Sequence, residues 1–533
     1  MTIDQRGAGL WRRIAPAQRT AFFACLIAGL LVHLYAFTNL IPNSDGLGRV
    51  YDLQQMTISG RWFLHYASAL NGYTQMPAAI GLLSLLLLAA AAALTVSLLR
   101  LDSRVLAGLS GAVMAAFPVM GYTFLYLFTA SAYCLAILLA VLSVWLARRG
   151  TLLSWAAGAA VLALSMGTYQ AYAAVAISLS LLVVFRTALD PESSFQSTLR
   201  LGLRLMAYLA AGALLYYGVL LLFLQLKGLE LLSYLGMDAA SSVYPFSRLP
   251  RLILDCYKQV VSFFFLPGSA NGFADLWMVL LDLAALALGG ACFLLHLGKR
   301  GLYRDSWRPL TALAMAALLP LGMDFGQILS PWSVPTPLMK YAFLSVYLLV
   351  LLAVGLVDGQ GASAGLGALP PAAVLWGALL LVFCLNTNNL LYTASAQAHR
   401  ATESYLTRLF ARVEACPGYE PGMEVAVIGA IPGDQLTAQI ESYGQVDHYS
   451  VPRDTVATLN KHIYYYLNDW LNIPVAEPDE DTMIAVAASP EFQAMPLYPA
   501  QGSVQVVDGR VVVKLQEEYT PKSDFEIAYE NRR

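Results

Sequence analysis

Two carboxylates and two guanidiniums crowd into "NLIPNSDGLGRVYDLQQMTISGRWFLHYAS" (Asn39 to Ser68), directly after the first strongly apolar segment of the chain. Asp45, Arg49 and Asp52 stand at i, i+4 and i+7, so a helix opened by Asn43 or Ser44 as N-cap would line all three on one face. Two chemistries fit that face. One is a salt-bridged helix lying in the membrane interface. The other is a catalytic carboxylate beside a phosphate-binding guanidinium, suited to transfer from a lipid phosphate whose headgroup lies at this depth.

Other candidates lie further along. Arg61 and Trp62 in "SGRW" precede Pro77, where they either bind substrate or anchor the interface. Tyr169 and Gln170 fall at the break of a long apolar run, lining a cavity or closing a satisfied turn. Lys340 and Asp324 bracket the Pro-rich "FGQILSPWSVPTPLM", and Lys340 either meets a phosphate or snorkels to the surface. Asp282 sits inside an apolar segment, where an ionisable group is by default functional, but close enough to its end for a plain interhelical hydrogen bond. The six His show no HxxxH or HExxH spacing and the six Cys no CxxC, so neither a metal centre nor a disulfide framework is read from them.

The elements that must position these residues are membrane helices. The 533 residues are 58% hydrophobic and 12% charged, with a mean hydropathy of +0.60, which excludes an ordinary soluble enzyme. Apolar runs of spanning length, about 20 residues, occur near 20–40, 77–99, 203–226, 276–297, 309–324, 341–357 and 370–388. The runs 105–147 and 152–185 would make helices of roughly 64 and 50 Å and must each double back, at "FPVMGYTFLY" with Pro118 and Gly121 and at "SMGTYQAY" with Gly167. The expectation is an α-helical polytopic membrane protein of about 11 transmembrane helices. Its N-terminal Arg-flanked apolar segment is read as a retained span rather than a cleaved signal.

Orientation follows from the short loops. A cytoplasmic N-terminus places Arg100/Arg104, Arg148/Arg149, Arg186/Arg200/Arg204 and Lys299/Arg300/Arg304/Arg308 all inside, as the positive-inside rule asks. Loops 42–76, 227–275 and 325–340 and the C-terminal segment then lie outside. Within 227–275, "YPFSRLPRLILDCYKQVVSFFFLPGSANGF" reads as an amphipathic interfacial segment. Residues 390–533 carry 10 Lys/Arg against 20 Asp/Glu and form a small, soluble α/β domain after the membrane part, 1–389. In it, 393–415 reads as a helix, "EVAVIGAI" as a buried strand, "DTVATLNKHIYYYLNDWL" as an amphipathic helix, and "GSVQVVDGRVVVKL" as a hairpin turning at Asp508-Gly509.

Several motifs in this order resemble the serotype-converting glucosyltransferases of bacterial O-antigen, which are C-type, polyprenyl-phosphate-sugar-dependent enzymes. They are "SDGLGR" with Asp45 and Arg49, Gly60-Arg61 in "SGRW", "GTYQA" (167–171), "LNTNNLLYTASAQAHRATESYLTRLFARVE" (385–414) and "MPLYPAQGSVQVVDGRVVVKL" (495–515). The resemblance implies a C-type glycosyltransferase fold and transfer of one hexose, glucose in that family, from undecaprenyl phosphate to a lipid-linked or cell-surface glycan on the periplasmic face of the inner membrane. It implies Asp45 as general base, with Arg49 and Arg61 holding the donor phosphate as it leaves and inversion at the anomeric carbon. Asp52, Trp62, Tyr169, Gln170 and Lys340 are the further candidate site residues. The family often shows an acidic doublet where this chain has Ser44-Asp45, so either a second carboxylate is dispensable or Asp52 replaces it. A divalent metal is left open. Expected partners are the lipid donor, the glycan acceptor, the bilayer, a donor synthase and a flippase; no nucleic acid is expected.

Rival readings are a lipid-linked-oligosaccharide flippase or transporter, an O-antigen polymerase of the same superfamily, and a scaffold whose tail is the working part. The topology supplies the first prediction. A reporter fused after Arg533 is active only outside the cytoplasm, and one fused at Arg204 only inside. A cytoplasmic C-terminus would overturn the assigned orientation.

Overall fold

The structure, a computed structural model, describes residues 12–48, 50–231, 246–267, 273–330, 336–358, 369–431 and 460–521. The bundle runs through α1 (Pro16–Thr38), the short α2 (Leu64–Ser68), α3 (Pro77–Leu99), α4 (Arg104–Ala116), α5 (Pro118–Leu125), α6 (Leu127–Ala147), α7 (Leu152–Thr168) and α8 (Ala173–Ala188). It continues through α9 (Phe195–Lys227), α10 (Leu249–Phe265), α11 (Leu276–Arg300), α12 (Trp307–Met323), the short α13 (Phe325–Leu329), α14 (Ser345–Val357) and α15 (Leu369–Glu414).

Among the described residues nine helical segments are long and apolar enough to cross a bilayer. The chain is a membrane protein. α7 and α12, at 17 residues each, are the remaining two of the eleven expected segments and fall short of that length. Both long runs do double back: the first breaks at Tyr126, eight residues past Pro118, which opens α5 without ending the span, and the second at Tyr169. Proline at the first helical position costs no hydrogen bond, so Pro118 bends the path without reversing it.

The segment Arg104–Leu125 is 89% buried and Pro337–Val357 83%, so these two stand at the centre. Outward-facing apolar side chains such as Leu31, Leu214, Leu226, Trp277 and Leu294 stay exposed, the surface a bilayer covers. Close helix approach depends on small residues. At Gly111 of α4 a Cβ would collide with the backbone carbonyl of Ala21 in α1.

One end of the bundle carries the 42–76 loop, the breaks at Tyr126 and Tyr169, and the extension of α15. This helix runs 46 residues without interruption, so the expected tail helix 393–415 is the continuation of the last span, across residue 389. Beyond it lies a three-stranded sheet of order β1-β3-β2, with β1 (Val425–Ile428), β2 (Val504–Val507) and β3 (Arg510–Lys514). β1 and β3 pair in parallel and β2 and β3 form the expected hairpin, turning at Asp508 and Gly509, both with positive φ (50° and 76°). The period-two alternation splits the core. Val425, Val427, Val511 and Val513 face Tyr405, Leu406, Leu409 and Phe410 of α15, while Ala426, Ile428 and Val512 face Met483, Phe492 and Met495. Of the expected helix 454–471, residues before 460 lie outside the described residues; the rest is helical over Asn460–Tyr465 and continues as a π-type turn, Tyr466–Trp470.

A packing prediction follows from the glycines. Gly111→Ala forces α1 and α4 apart and destabilises by about 1–3 kcal/mol, read as a lower melting temperature of the detergent-solubilised protein. Gly290→Ala, where a Cβ meets no atom within 4 Å, is neutral or mildly stabilising through helix propensity, by no more than about 1 kcal/mol. Equal melting temperatures for the two variants would contradict the packing.

Candidate functional site

The expected one-face helix at Asp45, Arg49 and Asp52 does not form. Asn43 does act as N-cap, its Oδ1 accepting from Gly46 N at 2.6 Å, but the helix it opens is a single 3-10 turn, Ser44–Gly46. Two glycines in "DGLG" remove the propensity to continue, and Gln75 takes the freed carbonyl of Gly46 with its Nε2 at 2.7 Å. By residue 51 the chain is extended: Tyr51 bridges Thr74, and Asp52 N donates to Tyr73 O at 2.9 Å. Arg49 lies outside the described residues.

The two carboxylates therefore occupy different environments. Asp45 sits on the tip of its turn with an exposed side chain. Asp52 is buried, and its Oδ1 accepts from Gln54 N at 2.8 Å. Gln54 adopts φ 55° and is 1% exposed, with neither amide atom hydrogen-bonded among the described residues. Nothing in the sequence pattern singles Gln54 out, because its backbone conformation is set by the pairing of 51–52 with 73–74.

The second pair of expectations converges. Phe63 N donates to Gly167 O at 2.7 Å, docking "SGRW" on the end of α7. Gly167 is required there, since a Cβ would lie 2.6 Å from the Trp62 indole, which also stacks on the ring of Phe223 at 5.6 Å. The guanidinium of Arg61 lies 4.7 Å from the centroid of the Tyr169 ring, and its Nη1 donates to Tyr133 OH at 3.4 Å. Tyr133 and Tyr169 stack at 4.6 Å. Gln170 Nε2 donates to Ser59 O (2.9 Å) and to Tyr216 OH (3.1 Å), and Tyr216 OH donates to Gly60 O (3.1 Å). Arg61, Trp62, Tyr169 and Gln170 thus form one cluster. Gln170 serves it by tying loop to helix end. Tyr133 and Tyr216, one aromatic among many in apolar runs, carry no sequence signal of this role.

The two parts of the loop share a support. Asn71 Nδ2 donates to Phe128 O at 3.3 Å, and Phe128 also lies against Gly46. Lys340 stands apart. It is 1% exposed, its Nζ donates to Gln259 Oε1 of α10 at 3.0 Å, and it lies over Phe263 and Phe343, so it does not snorkel. Its short helix, Pro337–Leu344, packs against the Gln170–Tyr172 turn, placing Lys340 in the same layer as the cluster but on other partners. Asp282 makes the interhelical hydrogen bond, its Oδ1 accepting from Tyr347 OH at 2.8 Å. All six cysteines are buried free thiols. Among the described residues no three His, Cys, Asp or Glu side chains converge as a metal-ligand set.

Comparison with known proteins places this geometry in context. The sequence model of the family described as Glucosyl transferase GtrII matches residues 34–354, which include the 42–76 loop, both helix breaks and Lys340. No curated protein and no solved structure matches the chain.

The Arg61–Tyr169 contact is directly measurable. A double-mutant cycle of Arg61→Gln and Tyr169→Leu in thermal unfolding gives a coupling of roughly 0.5–2 kcal/mol. A cycle of Arg61→Gln with Lys340→Met gives none beyond error. The reverse pattern would show that the guanidinium is held elsewhere.

Proposed function

Since the chain belongs to the glucosyl transferase GtrII family and is a membrane glycosyltransferase, we propose that it moves one hexose, glucose, from undecaprenyl phosphate to a lipid-linked or cell-surface glycan such as O-antigen. In this reading it works in the bacterial inner membrane with the 42–76 end and the tail facing the periplasm, supplied by a donor synthase and a flippase. The observation that carries the assignment of roles is the contrast between the carboxylates. A general base must come within hydrogen-bond reach of the acceptor hydroxyl, and Asp45 is exposed where Asp52 is buried and already accepts from a backbone N–H.

The reaction is a direct displacement. The acceptor oxygen attacks the anomeric carbon, its proton passes to Asp45, and the bond from the anomeric carbon to the phosphate oxygen breaks. The polyprenyl phosphate leaves with one more negative charge, and the anomeric centre inverts. Arg61 and Arg49 compensate that charge. Arg61 suits this task because Tyr169 and Tyr133 restrain its guanidinium, so little reorganisation is needed as charge develops. Trp62 and Gln54, whose indole N–H and amide are buried without hydrogen-bond partners among the described residues, supply polar contacts for a bound sugar. Asp52 orders the loop and Lys340 contributes positive charge to the same layer.

Two measurements test this. Glycans from cells with and without the gene differ by the mass of one hexose, and linkage analysis identifies the acceptor position. Asp45→Asn, nearly isosteric but unable to take the proton, lowers transfer by about 10²–10⁴ while the protein still inserts and binds donor. Asp52→Asn is milder. Should Asp45→Asn remain within a few-fold of wild type while Asp52→Asn is inactive, the base is Asp52. Unchanged glycans on gene loss would refute the transferase role for this acceptor.

A further inference from the structure

The hydrophobic core of the tail contains one residue from far upstream. Leu47, fully buried, lies in the cluster formed by Tyr405, Leu406, Ile463, Tyr466 and Leu467. Its carbonyl oxygen accepts from the indole Nε1 of Trp470 at 2.9 Å. Trp470 in turn stacks on Tyr466 and meets His399 of α15 edge-on at 5.5 Å, and the Tyr466 hydroxyl is hydrogen-bonded to His399. A continuous path of packed side chains therefore runs from the rigid extension of α15, through the tail, to a backbone atom two residues from Asp45.

The turn bearing Asp45 is thus held from three directions. Asn43 fixes it from its own N-terminal side, Gln75 from the foot of α3, and Trp470 with the Leu47 pocket from the tail. The 3-10 turn itself is only three residues long and ends on Gly46, so it has little rigidity of its own. A plain docking contact would need only apolar side chains. Here the tail also grips the main chain of the turn, which fixes its rotation as well as its distance.

We propose that the C-terminal domain is a positioning element of the transfer reaction, with Leu47 and Trp470 setting the placement of the Asp45 carboxylate. The proposal rests on Asp45 being the base. Misplacing a catalytic group by about 1 Å can cost up to about 10² in rate without weakening substrate binding, so the tail acts on turnover rather than on donor affinity. Leu47 and Trp470 are positioning residues and touch no substrate.

The test uses the full-length enzyme in nanodiscs, undecaprenyl-phosphate glucose as donor, and lipid-linked glycan purified from a strain lacking the gene as acceptor. Trp470→Phe keeps a six-membered aromatic ring in the pocket but loses the indole N–H donor together with the five-membered ring that carries it; it lowers kcat about tenfold and leaves the donor KM within about twofold. Leu47→Ala lowers kcat further, and Leu47→Met, which refills the pocket, restores it to within a few-fold. The deciding measurement is the cycle with Asp45→Asn. With no base to place, Trp470→Phe causes no additional loss in that background. Losses that multiply, or a wild-type kcat in folded Trp470→Phe, overturn the positioning role while leaving Asp45 as base. If Leu47→Ala loosens the tail in limited proteolysis, the milder Trp470→Phe decides. An Asp45→Asn enzyme within a few-fold of wild type overturns the base assignment and this proposal with it.

Discussion

The carbonyls released where a membrane helix breaks must be satisfied, because the surrounding hydrocarbon offers no hydrogen bonds. This constraint organises the functional end of the bundle. α7 ends at Thr168 and the next apolar segment begins at Gln170, leaving helix-terminal groups that the 42–76 loop takes up: Phe63 N on Gly167 O, and Gln170 in return on Ser59 O. Beside the other break Asn71 adds a hydrogen bond to the carbonyl of Phe128, in the first turn of α6. The loop is thus seated in part by groups that the end of α7 leaves unpaired. The Arg61 cluster exists because that seating brings "SGRW" against "GTYQA".

The opposite end meets the same demand with charge. Arg308, 6% exposed, donates to the carbonyls of Ala188, Asp190, Pro191 and Ser193, closing the end of α8, while Arg100 pairs with Asp190 at 2.9 Å. A planar guanidinium with five donors satisfies several helix-end carbonyls at once, which a lysine could not do. Basic residues from which the orientation is read in the sequence also finish the helices. At the end that carries the 42–76 loop, loop backbone and amide side chains do this work instead.

The tail joins the last helix of the bundle to the loop that bears Asp45. Because α15 continues unbroken from the bundle to the core of the C-terminal domain, the domain cannot swing freely, and its core is completed by Leu47 from the loop. An exposed carboxylate on a three-residue turn would otherwise sample many orientations. Burying a leucine two residues away and bonding its carbonyl converts a flexible loop into a fixed one, at the cost of making the domain depend on the loop for its own core.

Much of this was legible in the sequence. Hydropathy and length sufficed for nine of the eleven expected spans, alternation for the strands, and Asp508-Gly509 for the hairpin, since these signals are local and repeat at the period of the element. The types of the site residues were visible too, as charges where a membrane protein has little reason to place them. Their geometry was not. Spacing alone put Asp45 and Asp52 on one helix face, but hydrogen bonds to Gln75 and Tyr73, more than 20 residues away, made one a turn and the other a buried extended residue. The roles of Tyr133, Tyr216 and Trp470 were invisible because they arise from partners 46 to 423 positions distant. Sequence determined which segments are apolar enough to cross a membrane and which chemical groups are present, through energies that depend on each residue's neighbours in the chain. Which carboxylate faces solvent, and what holds it there, was decided only when separate helix ends and the tail met to satisfy one another's polar groups.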